Sequence, residues 1–179
     1  MKKVYGIVIF CFVVATAIIA SRMAGGAASG SVQNVNNVNT PAVTPAQEKA
    51  AAAMTTEQLF ETIMSSPSYS SNTKDYLDAH EAEHRQLLAN KERTLKYIFS
   101  QFIKGSEGSE PENGLKGVIM CIVLNELAPE STLDLAATPQ EYFNAWKDAA
   151  LKLKEGHDDS WMQANYPAAQ MLLQTLAEK

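Results

Sequence analysis

The run His80-Glu81-Ala82-Glu83-His84 has the spacing H-E-x-x-H. On a continuous helix, residues four apart share a face, so His80 and His84 could grip one zinc ion while Glu81 polarises a bound water. That chemistry would be metal-assisted hydrolysis. Glu126, within Asn125-Glu126-Leu127-Ala128, is the candidate third ligand. A plainer reading needs no metal. Glu81, Glu83, Arg85 and the two histidines make a solvated helix face, with His80 beside Tyr76 at the edge of the core. The plainer reading is preferred, and no catalytic, cofactor-binding or metal-ligating residue is assigned.

The remaining candidates are weaker. Cys11 lies in an N-terminal apolar run and Cys121 in a central one, so a disulfide scaffold is excluded. Cys121 has no nearby histidine or other base to make a thiolate, and it reads as a small buried apolar residue. His157-Asp158-Asp159 lacks the spaced oxygen ligands of a calcium loop. It reads instead as a helix exit followed by a new cap. Tyr142, Phe143, Trp146, Trp161 and Tyr166 could line a groove for a peptide or glycan, but at helical spacing such aromatics belong to a core, with Trp161 the one expected nearer the surface.

The elements that would position these residues are all helical. Gly114 to Ala128 is apolar on nearly every side and too short to span a bilayer, so it is expected to be a buried helix at the centre of its domain. Thr55 with Gln58 has the spacing of a capping box, and Leu59, Phe60, Ile63 and Met64 follow as one stripe. Ser70-Ser71-Asn72 caps a helix expected to run to about Ala89, and another is expected from about Lys91 to Lys104. Thr138-Pro139-Gln140-Glu141 is the clearest helix start, with Gly156 as its stop. Asp159 to Asn165 and Ala168 to Ala177 complete the set. No segment alternates with period two. The fold class expected is all-α, a compact multi-helix domain of about six helices over residues 55–179. Thr94–Lys104 with Leu115–Ala128 resembles a HEAT-type helical hairpin.

Met1-Lys2-Lys3 precedes 17 uncharged, mostly apolar residues, Val4 to Ala20. Residues 1–21 are therefore expected to be a signal peptide or a membrane anchor, two readings left open here. Residues 22–54 are expected to be a flexible linker, rich in Gly, Ala, Ser and Asn. All 20 acidic residues follow position 47, and residues 31 onward carry a net charge of −8. That balance argues against nucleic acid or an anionic lipid surface as the ligand of the domain.

Ser70-Ser71-Asn72 through Asp75-Tyr76-Leu77 and His80, Leu95-Lys96-Tyr97-Ile98-Phe99, Asn113-Gly114-Leu115-Lys116-Gly117-Val118-Ile119-Met120 and Glu141-Tyr142-Phe143-Asn144-Ala145-Trp146 together resemble a family of Firmicute proteins. Its members are extracytoplasmic helical domains, some joined to membrane segments of the β-lactam-sensor (BlaR-like) peptidase type. The resemblance covers roughly residues 56–150. It implies an all-helical fold outside the cytoplasm and brings no catalytic residue. The H-E-x-x-H run separately resembles that of the zincin metallopeptidases, and Asn125-Glu126 the downstream Asn-Glu of thermolysin-like enzymes. The charges at Glu83 and Arg85, the lack of a strand to bind substrate, and the 42 residues between His84 and Glu126 depart from that pattern. Two functions follow. The favoured one is a non-enzymatic, secreted or membrane-tethered interaction or sensory module for a protein or cell-envelope component. The alternative is a small zinc-dependent metallopeptidase using His80, Glu81 and His84.

Overall fold

The computed structural model describes residues 43–67, 70–108, 110–129 and 138–178. The expected signal or anchor segment (1–21) and most of the expected linker lie outside the described residues. Among the described residues there are nine helices and no strand: α1 (Pro45–Ala52), α2 (Thr56–Met64), α3 (Thr73–Ala79), α4 (Glu81–Ala89), α5 (Lys91–Glu107), α6 (Leu115–Leu127), α7 (Pro139–Gly156), α8 (Asp159–Asn165) and α9 (Pro167–Ala177). The all-α reading is correct.

Helix α6 takes the place its composition demands. It packs against α2, α3, α4, α5 and α7. Ile119, Met120, Val123 and Leu124 on it are wholly buried. With apolar residues on nearly every side, only a position surrounded by other helices removes them from water. Gly117 permits the closest approach, because a Cβ there would stand 2.1 Å from the Glu112 carbonyl oxygen and 3.0 Å from Pro139 Cβ.

Helices α5 and α7 join through aromatic rings. Phe99 stacks on Trp146 with centroids 5.4 Å apart, and Phe102 on Phe143 at 4.9 Å. Helices α7 and α9 both pack on α5, so the α5–α6 pair is built into a closed globule rather than a stack of hairpins. Beside the rings lies a buried amide. Gln140 Nε2 reaches the Phe102 carbonyl at 3.1 Å and Ser106 Oγ at 2.8 Å, while its Oε1 accepts from the Glu112 amide at 3.3 Å. This side chain ties the start of α7 to the end of α5 and to the intervening loop. A buried polar group is tolerated when it is hydrogen-bonded in this way.

Two boundaries differ from expectation. Pro45–Ala52, placed with the linker, is a helix with a full capping box between Thr44 and Gln47. Ala51 is wholly buried on it, and α1 packs on α4. An alanine-rich helix shows no apolar stripe, although alanine is the best helix former, so periodicity misses it. The single helix expected up to Ala89 is two, α3 and α4, broken at His80, whose φ of −125° and ψ of 47° are not helical. Nothing in the sequence marks that break, since no Gly or Pro stands there.

Candidate functional site

The break at His80 decides the geometry of the H-E-x-x-H run. His80 ends α3 and precedes α4, so it does not share a helix face with His84, which lies within α4. The two rings turn to different partners. His80 Nε2 lies 2.9 Å from Ser66 Oγ, and its Nδ1 lies 3.8 Å from Glu83 Oε2. His84 Nε2 lies 2.9 Å from Glu126 Oε2, across the α4–α6 contact. That carboxylate lies off the axis of the ring nitrogen, so the pair is a close polar contact rather than a hydrogen bond. Glu81 is paired with Arg85, which also reaches Glu48 on α1 at 3.5 Å.

The structure therefore brings together His84 and Glu126, two of the candidate zinc ligands, and holds His80 and Glu81 on other partners. Among the described residues no three His, Cys, Asp or Glu side chains gather as a metal would need. The plainer reading of a solvated helix face holds only in part: Arg85 is exposed, but His80 stands between the two helices, and the His80, Glu83 and His84 side chains are only 15%, 14% and 17% exposed. Sequence reasoning missed Ser66 altogether. It sits in Ser65-Ser66-Pro67, which reads only as a helix stop, and its partner is 14 residues away.

Cys121 is buried, with Sγ 3.7 Å from the Pro139 carbonyl oxygen. Burial pushes its thiol from an ordinary 9.0 up to about 12. The folded state thus favours the protonated thiol. Its contribution to stability is complete below pH 9 and is lost as the pH rises from 9 toward 12, where the unfolded chain ionises first. With Cys11 replaced by Ser, the native chain is expected to resist alkylation by iodoacetamide at pH 8 and to react fully in denaturant. Rapid alkylation of the folded chain would show that the thiol is accessible.

The aromatic groove does not form. Tyr142, Phe143 and Trp146 are core residues. Trp161 carries the His157 ring at 3.5 Å on one side and Tyr166 at 5.7 Å, which leaves no open platform among the five. His157-Asp158-Asp159 is a helix junction, as its sequence suggests: Asp158 caps α8, accepting from the Trp161 amide at 2.8 Å. Asp159 accepts from Lys154 Nζ at 2.6 Å and from Gln170 Nε2 at 3.0 Å, which hold its carboxyl below the usual range.

Shallow recesses mark the surface of the described residues, two of them away from the histidines. One, of about 590 Å³, lies over Asn90, Lys91, Glu92, Arg93 and Lys96 at the start of α5. The other, of about 460 Å³, lies over Asp159, Ser160, Gln163, Gln170 and Gln174.

Comparison with protein-family models, with curated proteins and with solved structures finds no match to this chain.

Proposed function

We propose that the chain is an exported helical interaction or sensory module, secreted or membrane-tethered, that binds a protein or cell-envelope component through a helical face. The observation that carries this reading is the order of its parts. A basic start, an apolar run over residues 4–20 and an uncharged, low-complexity stretch precede a closed all-α unit. The resemblance to the extracytoplasmic Firmicute domains points the same way. A net charge of −8 from residue 31 onward suits a basic protein partner better than a polyanion. Among the described residues no helix is long and apolar enough to cross a membrane, so any anchor falls to the N-terminal run.

The test is topology. In a Gram-positive host, external protease is expected to degrade the helical unit in intact, wall-stripped cells while a cytoplasmic marker survives. Protection of the helical unit until the membrane is lysed would refute export.

The zinc-dependent metallopeptidase is the second reading, and the contact between His84 and Glu126 is the one observation that favours it. It requires His80 to leave Ser66 and turn toward His84. Metal analysis of the full-length chain, purified without a histidine tag, is expected to give no stoichiometric zinc. Zinc bound by the parent chain and lost in the His80→Ala/His84→Ala variant would establish the second reading instead.

A further inference from the structure

Three side chains around the break at His80 stand in a functional order. Ser66 lies just beyond the end of α2 and is exposed. Its Oγ meets Nε2 of His80 at 2.9 Å, and Glu83 Oε2 lies 3.8 Å from Nδ1 on the other side of the same ring. The His80 and Glu83 side chains are only 15% and 14% exposed. A carboxylate beside Nδ1 favours the tautomer that carries its proton there. In that tautomer Nε2 keeps its lone pair and can accept the Ser66 hydroxyl proton. An open hydroxyl, a shielded imidazole and a shielded carboxylate on the far nitrogen are the parts of an activated serine nucleophile.

Helix geometry fixes the arrangement. Had α3 and α4 been continuous, His80 would lie on the helix beside His84. The non-helical backbone at His80 instead places its ring against Ser66, while Glu83, in the first turn of α4, is three residues away and near the favourable positive end of the dipole. No side chain caps α4, so the first-turn amides are not taken up by a capping group.

We propose that Ser66 is a nucleophile for acyl transfer from esters of small acyl groups, with His80 as its general base and Glu83 as the residue that positions His80. In the first step Ser66 Oγ attacks the ester carbonyl carbon while His80 Nε2 takes the hydroxyl proton. The tetrahedral intermediate expels the alcohol, which receives that proton from His80, and an acyl-Ser66 ester remains. Water, deprotonated by His80, then attacks the acyl carbon and releases the acid and free Ser66. Ser66 is exposed, so an acyl group presented on a larger body can reach its hydroxyl. This goes beyond the docking role, in which a partner is only bound.

The probe is p-nitrophenyl acetate, with full-length chain in mild detergent. Nitrophenol release is expected, with the acetyl group found on Ser66 by peptide mass mapping. A fluorophosphonate is expected to label the same residue. Ser66→Ala, an exposed change, should melt like the parent and lose both signals, whereas Ser65→Ala should lose neither. His80→Gln should slow acetylation by about a hundredfold, the scale of general-base catalysis. Glu83→Gln should slow it less, because its carboxylate stands 3.8 Å off. Added imidazole should restore part of the rate of His80→Ala. Hydrolysis that survives in Ser66→Ala, acetyl groups mapping elsewhere, or an unlabelled Ser66 beside a labelled control esterase would each overturn the proposal.

Discussion

Replacing Trp146 by alanine is expected to lower the stability of the folded unit by about 4 kcal/mol, the usual scale for removing a buried large aromatic. Trp146 is among the largest fully buried side chains and stacks on Phe99 at 5.4 Å, in the seam between α5 and α7. The cavity would open between two helices that also share the Phe102–Phe143 stack and the Gln140 clamp, so collapse around it is restricted. The indole Nε1 is itself buried with no hydrogen-bond partner among the described residues. An orphaned donor of this kind already costs about 1–3 kcal/mol in the parent. Trp146→Phe, which keeps a ring against Phe99 and removes that donor, is therefore expected to cost less than half as much as Trp146→Ala. Urea unfolding of the three chains separates the terms. Equal losses for the two variants would mean that the size of the indole, and not ring contact, sets the stability of the seam.

The second large effect is expected at Gly117. In most helices Gly→Ala gains about 1 kcal/mol from backbone entropy. Here the added Cβ would meet the Glu112 carbonyl oxygen at 2.1 Å, a backbone atom that no rotamer change can move. Relief requires α6 to slide from the loop that precedes it, and α6 is the helix against which five others pack. Overpacking penalties of about 1–3 kcal/mol, occasionally more, apply. We expect the upper end, seen as a fall in Tm of about 10 °C. Gly156→Ala is the control, since a Cβ added there, at the end of α7, would have nothing within 4 Å. It should leave Tm unchanged or raise it slightly. A Gly117→Ala chain that melts with the parent would show that α6 does not approach the Glu112 backbone so closely.

Both effects lie in parts of the fold that were legible from residue patterns. The run from Leu115 to Leu127, apolar on nearly every side, had to be central, and Ile119, Met120, Val123, Leu124 and Leu127 on it are buried. Thr138-Pro139-Gln140-Glu141 announced α7, and Thr138 does cap it. Periodicity at 3.6 residues placed Tyr142, Phe143 and Trp146 on an inner face, because burial of a helix stripe depends on spacing along one chain segment alone. The function of Gly117 was not legible, since a close backbone approach depends on what another segment brings to it.

The sequence by itself determined the helical class, the central helix, most of the caps and the buried thiol at Cys121, all of which follow from local spacing and apolar composition. Only the tertiary structure decided the chemistry around His80. The H-E-x-x-H spacing promises a shared face only while the helix is continuous, and the backbone turns at His80 without a Gly or Pro to announce it. Once it turns, one histidine meets Ser66 from beyond α2 and the other meets Glu126 on α6. Such pairings join segments separated by 14 and 42 residues, and short-range spacing carries no information about contacts of that range.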